Sequence, residues 1–395
     1  MSTPPEIALT STNAIRPARA ALSALTTTTA CSVPVFLVGG LAVQIGNELK
    51  FSPAGLGLAV SAYFGASALA SVPAGALVER YGSTAVARAA IGLASACLLG
   101  IAAGARALWS LIAILVLGAA ANAMGQLASN TSLSRHVPPR RQGLSFGLKQ
   151  AAIPVSTLLA GAAVPVVALT VGWRWAFVLG AALAAAAIGL VPVERDERRR
   201  STAERGERAT TALVVIGLGA TLAAGSANAL GTFLVDSAVA RGIEPGPAGL
   251  ALTIGSAVGV AARIGGGWQA DLFPTRQIGV IAGLLTAGAG GLAFLAAPGM
   301  VALMAGVVLG FGLGWSWPGL MNFAVVRLHP QAPAAATSIT QTGVYAGGCL
   351  GPLSLGAVAE RTSYQTMWMV AAAAMLGAAV FMLLGSRLLS RSDPR

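Results

Sequence analysis

Twelve apolar segments, each long enough to cross a lipid bilayer as an α-helix, follow one another along the chain. They are predicted at 20–46, 54–78, 84–105, 108–133, 143–170, 174–193, 211–238, 247–270, 277–297, 300–326, 334–358 and 365–386. Only 10% of the residues are charged and the mean hydropathy is +0.76, whereas soluble domains carry roughly 25% charged residues. The pattern predicts an all-α integral membrane protein and excludes a soluble globular fold.

The charged stretch between the sixth and seventh segments divides the chain into two six-helix bundles. We expect an N-terminal tail at 1–19, a first bundle at 20–193, a linker at 194–210, a second bundle at 211–386 and a C-terminal tail at 387–395. The linker is too charged to enter a bilayer and too polar to fold alone. This division suggests that one half of the chain repeats the other.

The basic residues predict how the chain is oriented in the membrane. If successive loops alternate between the two sides, 20 of the 25 lysines and arginines fall on one face and five on the other. Loops rich in these residues stay on the cytoplasmic side, so both termini and the linker are predicted to be cytoplasmic in a multi-pass protein of the cell (inner) membrane. The net charge of +12 reflects this asymmetry, and we therefore expect no nucleic-acid partner.

A short charged segment appears once in each half. Gly75 precedes Glu79 by four residues at the junction of the second and third spans, and Gly267 precedes Asp271 by four residues at the junction of the eighth and ninth. Recurrence at equivalent points of the two halves indicates an internal duplication. Parallel six-helix repeats of this kind are typical of secondary transporters.

The first copy of this segment resembles the signature loop of the major facilitator superfamily. The matching residues are Gly75, Glu79, Arg80, Gly82 and the downstream basic residue Arg88. Ser83 and Thr84 depart from the family pattern, and the second copy keeps Gly267 and Asp271 but has Leu272 where an arginine is expected. The resemblance implies a twelve-helix transporter of the bacterial type that works by alternating access.

Both copies place a carboxylate where a helix reaches the cytoplasmic face. Such a carboxylate can pair with arginines or with the positive end of a neighbouring helix. We predict that it holds the two halves in one orientation and is released when they rock; the alternative is a solvated turn. This predicted gating latch comprises Gly75, Glu79, Arg80, Gly82, Arg88, Gly267 and Asp271.

Two cationic residues, Lys149 and Arg263, fall within predicted spans, where charges are costly and mark functional sites. The nearest carboxylates, Glu48 and Asp236, lie close to the external ends of the first and seventh spans and are candidates for proton coupling. The excess of positive charge favours an anionic substrate. Arg263 resembles the eighth-helix arginine of monocarboxylate and oxalate/formate carriers. Hydrogen bonding between helices, or snorkelling of the side chains to the interface, is the alternative.

Uncharged polar and aromatic residues at mid-depth complete the predicted substrate cavity. They are Ser32, Asn122, Gln126, Asn228, Trp315, Trp317, Gln341 and Tyr345. For each amide, hydrogen bonding between helices is the competing interpretation. Trp315 and Trp317 are two residues apart, so on a regular helix at most one of them should face the cavity squarely.

These observations predict a secondary transporter of a small organic anion, such as a monocarboxylate or a cyanate-like anion, with efflux of hydrophobic or weakly basic compounds as the alternative. The chain lacks a phosphate-binding loop, and both histidines lie in predicted loops, so an enzyme is not expected. We predict no cofactor and no metal. The expected partners are a small-molecule substrate, accompanied or not by a proton, and the lipid bilayer, and the expected oligomeric state is a monomer.

Overall fold

A computed structural model describes residues 17–192, 211–273, 277–328 and 333–392. Residues 1–16 of the predicted N-terminal tail, the whole linker and residues 393–395 of the C-terminal tail lie outside these ranges. The described residues form fourteen α-helices and no β-strand. The helices are α1 (Pro17–Gly40), α2 (Ala42–Leu49), α3 (Pro53–Gly104), α4 (Leu108–His136), α5 (Gln142–Gln150), α6 (Ala152–Ala163), α7 (Trp173–Ala187), α8 (Thr211–Val239), α9 (Pro245–Leu272), α10 (Gln277–Ala296), α11 (Met300–Leu309), α12 (Trp317–Leu328), α13 (Pro333–Arg361) and α14 (Tyr364–Ser392).

These helices build the twelve predicted membrane spans in two six-helix bundles, which confirms the all-α fold class. Within the described ranges, eleven spans are long and apolar enough to cross a bilayer. The twelfth is α13, which is more polar because it carries Gln341, Thr342 and Tyr345 and packs between α8 and α3. We call the side of the bundle where α1 begins and α14 ends the termini face, and the other side the opposite face.

The turn predicted between the second and third spans is reduced to a single residue. α3 runs through both spans, and only Gly82 leaves the helical conformation, with φ +83° and ψ 161°. A residue with a Cβ rarely adopts this backbone conformation. Gly82 thus makes a sharp corner at the termini face, two residues after Arg80.

The regular helical hydrogen-bond pattern is interrupted within two of the predicted spans. In the fifth, Ala151 joins α5 to α6 with helical hydrogen bonds on both sides, but Pro154 has no N–H to donate to the carbonyl oxygen of Gln150. In the tenth, α11 passes into a π-helical turn at Gly310–Gly314, and Trp315 and Ser316 separate it from α12. Such interruptions of the regular i to i−4 pattern leave carbonyl groups available to other donors.

The two halves meet along α1 with α8, α3 with α13, and α5 and α6 with α9. Glycines allow this approach. A Cβ added to Gly161 of α6 would lie 2.6 Å from the carbonyl oxygen of Gly249 of α9. The interface between the halves therefore places backbone against backbone, and the candidate site lies within it.

Candidate functional site

A cavity of about 70 Å³ lies between the two halves. Nine of the ten residues predicted for the substrate cavity line it: Ser32, Asn122, Gln126, Asn228, Arg263, Trp315, Trp317, Gln341 and Tyr345. The first three belong to α1 and α4 of the first half, and the others belong to the second half. The fold thus brings to one cavity residues that the sequence singles out by polarity and depth alone.

Lys149 is the predicted residue that does not line the cavity. Its side chain is only 1% exposed. Its Nζ donates a hydrogen bond to Oε1 of Gln126, and Gln126 does line the cavity. Lys149 therefore acts on the cavity through Gln126, from a position just behind its wall.

Arg263 is held by backbone carbonyl groups from both halves. Its Nε and Nη2 donate hydrogen bonds of 2.9 and 2.6 Å to the carbonyl oxygen of Trp315. Its Nη1 donates to the carbonyl oxygen of Gln150. The Gln150 carbonyl group has no helical donor because residue 154 is proline, and the Trp315 carbonyl group stands at the helix break of the tenth span. Arg263, a residue of the second half, is therefore tied to the first half through Gln150.

The cavity carries positive charge, and no acidic side chain among the described residues compensates it. Lys149 and Arg263, which is 3% exposed, are close enough to repel each other. Their hydrogen-bond acceptors are an amide oxygen and two backbone carbonyl oxygens, all neutral. No aspartate or glutamate is among the lining residues. The site can thus attract an anion.

An aromatic row forms one wall of the cavity. The ring centroids of Phe36 and Trp315 are 5.8 Å apart, and those of Phe36 and Phe64 are 6.4 Å apart. The guanidinium of Arg263 lies 5.6 Å from the ring centroid of Trp315. The row extends from Arg263 in the second half to Phe64 on α3 in the first half. A bound solute would therefore contact both a charged group and an apolar surface.

Both tryptophans of the tenth span line the cavity, contrary to the expectation that at most one of them would face it. The expectation assumed a regular helix. Because the chain leaves helical geometry at Trp315 and Ser316, residues two apart in sequence reach the same cavity.

Several lining residues were missed by the sequence analysis. Gln150 lies as far into its predicted span as Gln341 does, so the criterion that found the other amides would also have selected it; Asn322 lies in the last third of its span and does not meet that criterion. Phe36, Tyr63 and Phe64 also line the cavity. These aromatic residues cannot be distinguished from core residues without knowing which helix face meets the other half.

The predicted amides and hydroxyls around the cavity also make bonds between or within helices. Asn122 Nδ2 donates to Ser67 Oγ over 3.3 Å, and Asn228 Nδ2 donates to the carbonyl oxygen of Ala224 over 2.8 Å. Tyr345 is hydrogen-bonded to the side chains of Ser71 and Gln341. These bonds position the lining side chains. They account for one amide hydrogen of each asparagine.

The first copy of the gating latch lies at the surface of the termini face. Glu79 and Arg80 are exposed, and Glu79 has no hydrogen-bond or ionic partner among the described residues. The guanidinium of Arg80 lies 5.2 Å from the Tyr81 ring centroid. Arg88 Nη2 donates a 3.1 Å hydrogen bond to the carbonyl oxygen of Val191, within the same half. A Cβ on Gly75 would meet nothing within 4 Å.

The second copy of the latch joins the two halves. Asp271, near the end of α9, accepts hydrogen bonds through Oδ1 from the N–H of Gly143, at 2.8 Å, and through Oδ2 from the N–H of Leu144, at 2.9 Å. Both donors belong to the first turn of α5, whose positive end favours a carboxylate. A Cβ on Gly267 would lie 2.5 Å from the Gly143 carbonyl oxygen, so this glycine permits the contact.

The two candidate proton-coupling carboxylates have different surroundings. Glu48 forms a 2.5 Å ion pair with Arg174 and accepts a 2.7 Å hydrogen bond from Trp173 Nε1. The hydrogen bonds from Arg174 and Trp173 hold the pKa of Glu48 below its ordinary value. Asp236 is half-buried in α8, and its Oδ2 accepts a hydrogen bond from the hydroxyl of Tyr364. Among the described residues, Asp236 has no cationic partner.

Comparisons with known proteins agree on the family. The family model described as Major Facilitator Superfamily matches residues 21–352 and, in a second alignment, residues 216–395. A search of curated proteins found no match. Among solved structures, the chain is similar to a bacterial homologue of the human lysosomal transporter Spinster, crystallised in an inward-facing and occupied conformation.

The likeness to that structure extends over nearly the whole of both chains. The TM-score is 0.68, the sequence identity is 16%, and the alignment covers 95% of this chain and 97% of the other. At this identity the likeness shows the fold alone. Together with the family match, the twelve spans and the duplicated bundles, it establishes that this chain belongs to the Major Facilitator Superfamily and is a multi-pass membrane transporter of small molecules.

Proposed function

We propose that the protein carries a small organic anion across the inner membrane by alternating access, with both termini in the cytoplasm. The observation that carries this proposal is the pair of buried cations, Lys149 and Arg263, whose acceptors are all neutral. The binding site is the cavity between the halves, and the predicted lining residues are its substrate contacts.

The energetics favour a functional role for these charges over a structural one. Burying an ion costs several kcal/mol even after the protein relaxes. Neutral hydrogen-bond acceptors compensate only part of that cost, and neutral side chains could join the helices at a lower one. An anion entering the cavity would supply the missing opposite charge, in surroundings where the attraction is stronger than in water.

Efflux of weakly basic compounds is less consistent with the site. A cation would enter a cavity that already holds Arg263 and has Lys149 behind its wall. No acidic residue lines the cavity to offset the repulsion. The aromatic row could bind an apolar group, but an anion with an apolar portion uses the same row together with the cations.

Binding of the anion would be coupled to movement of the halves through Arg263. Arg263 donates to the Gln150 carbonyl oxygen of the other half. An anion competes for the same guanidinium because a charged acceptor binds it more strongly than a carbonyl oxygen does. Substrate binding thus weakens one contact between the halves. For the halves to rock against each other, the contact made by Asp271 must also be released. Contacts at Glu79 must form or be released in the same movement.

A proton could accompany the anion, and Asp236 is the better placed of the two candidate carboxylates. Glu48 is held in an ion pair with Arg174, which favours its charged form. Asp236 is half-buried next to the neutral Tyr364 hydroxyl. The anion could equally carry the proton itself, as a neutral acid. We propose that the transporter works as a monomer.

Solute counterflow with the purified, reconstituted protein tests this function. A panel of small carboxylates, cyanate and lipophilic cations is offered to the wild type, Arg263→Gln and Lys149→Gln. We expect exchange of anions by the wild type and a loss of about tenfold or more in each variant, since each removes a charge next to the bound anion. Arg241→Gln is the matched control, because Arg241 binds the carbonyl oxygens of Leu295 and Ala297 away from the cavity. Exchange of cations but not anions by the wild type would refute the proposal.

A further inference from the structure

The break in the tenth span puts the beginning of a helix at mid-depth in the membrane. α12 starts at Trp317, about halfway along the span that begins at Met300. The first N–H groups of a helix have no acceptor within that helix and carry partial positive charge. Trp317 and Pro318, the first two residues of α12, both line the cavity. The positive end of α12 therefore adjoins the cavity.

An unsatisfied donor stands at the same place. Trp317 is 0% exposed, and within the described part of the chain its indole Nε1 has no hydrogen-bond acceptor. The indole nitrogens of two other buried tryptophans do have one: Trp368 donates to Ser237 Oγ over 3.2 Å, and Trp173 donates to Glu48. A buried donor left without an acceptor is unfavourable. The indole N–H of Trp317 therefore has a hydrogen-bonding requirement that the described residues do not meet.

Arg263 retains some N–H groups that are not hydrogen-bonded to the described residues and can bind a ligand. A guanidinium carries five N–H groups. Three hydrogen bonds occupy them, one each from Nε, Nη1 and Nη2, so one N–H remains on each Nη. Those two can hold the two oxygens of one carboxylate. A carboxylate bound in this way satisfies Arg263 and leaves the Trp317 N–H available for a further acceptor atom.

We propose that Trp317, at the N-terminus of α12, donates its indole N–H to a second oxygen of the substrate while Arg263 holds the carboxylate. The substrate is then a small carboxylate with a hydroxyl or oxo oxygen beside the carboxylate. This inference rests on the proposed anion transport and adds a determinant of specificity to it. The cavity of about 70 Å³ holds on the order of five water-sized groups, which matches an anion of that kind.

Two anions of nearly equal size separate the roles of Trp317 and Arg263. Glycolate carries a hydroxyl where propionate carries a methyl group, so only glycolate offers the second oxygen. Their affinities are measured by competition in counterflow and by thermal shift, using the full-length protein. We expect the wild type to bind glycolate about tenfold more tightly than propionate, because propionate leaves the indole donor unsatisfied.

The variant Trp317→Phe keeps a ring and removes the donor. It should lower the affinity for glycolate to within about twofold of that for propionate, and it should leave the affinity for propionate unchanged, because only glycolate loses a hydrogen bond. Trp368→Phe, which removes a buried indole outside the cavity, should change neither. The preference of the wild type is informative even if Trp317→Phe folds poorly, because it requires no variant.

Each outcome bears on the assignment. The role of Trp317 would be overturned if the wild type bound glycolate and propionate equally well, or if Trp317→Phe lost the same affinity for both anions. Anion transport would still stand. If the wild type binds neither these anions nor any other carboxylate of the counterflow panel, the proposed function and the role of Trp317 fall together.

Discussion

The carboxylate of Asp271 caps α5 across the interface between the two halves: its Oδ1 accepts a 2.8 Å hydrogen bond from the backbone N–H of Gly143. The two residues are 128 positions apart. The contact closes the α5–α9 side of the termini face. By contrast, Glu79, the equivalent carboxylate of the first half, is exposed. Asp271 thus joins the two halves, whereas Glu79 has no hydrogen-bond or ionic partner among the described residues.

Asp271→Ala should favour conformations that are open at the termini face. Loss of a cap at a helix N-terminus costs on the order of 1 kcal/mol, which is about a fivefold change in the equilibrium between conformations. Distances between spin labels on α5 and α9 at the termini face would report the shift. Asp271→Asn retains one acceptor oxygen and should lie between the wild type and the alanine variant. An unchanged distance distribution in Asp271→Ala would show that the cap does not hold the halves.

Glu79→Ala should alter the transport rate and the balance between inward-facing and outward-facing states far more than substrate selectivity. The reason is its position: Glu79 is exposed at the termini face and does not line the cavity. Initial rates and competition profiles for a panel of anions would be compared with those of the wild type. A variant with the wild-type rate and an altered order of preference would contradict the gating role.

Glu48→Gln should change how stability depends on pH. The pKa of Glu48 is lowered by hydrogen bonds from Arg174 and Trp173. A carboxyl group with a lower pKa in the folded state stabilises the protein above its unfolded pKa of about 4.3, and this stability is lost as the pH falls through the folded pKa. The unfolding midpoint of the wild type should therefore exceed that of Glu48→Gln near pH 7, and the two should converge as the pH falls from about 4.3 through the lower folded pKa. The difference should be modest because Glu48 is half exposed and screened by solvent. If the difference in unfolding midpoint between the wild type and Glu48→Gln is the same at every pH, the ion pair does not stabilise the fold.

Asp236→Asn should remove the dependence of anion uptake on a proton gradient if Asp236 carries the coupled proton. The amide keeps the size of the side chain and cannot exchange a proton. Uptake would be measured with and without an imposed pH gradient. Glu48→Gln serves as the comparison, since its ion-paired carboxylate is expected to leave coupling intact. Gradient-driven uptake that persists in Asp236→Asn would assign the proton to the substrate itself.

Much of the architecture could be predicted from the sequence because it depends on local composition. The length of each apolar segment sets the number of spans, and the distribution of arginine sets the predicted orientation. The first span was nevertheless predicted as one helix, whereas the chain breaks at Leu41 between α1 and α2. Small residues permit such a break without changing the hydropathy that the prediction uses.

The candidate site could be predicted in part, for a similar reason. Polar residues at mid-depth, such as Asn122 and Gln341, are conspicuous in apolar spans, and they line the cavity. The partners of Arg263 were not predictable, because they are backbone carbonyl groups that any residue type could supply. Their availability depends on Pro154 in the fifth span and on the helix break in the tenth.

By itself, the sequence determined that the chain is a duplicated twelve-span membrane protein with two cations inside its spans. These properties follow from hydropathy, length and the periodic recurrence of a short segment. Only the tertiary structure decided that Arg263 reaches Gln150, that Asp271 caps α5, and that Trp315 and Trp317 share one cavity. The physical reason is that the first two contacts join residues of opposite halves over more than a hundred positions, and the third depends on a non-helical turn.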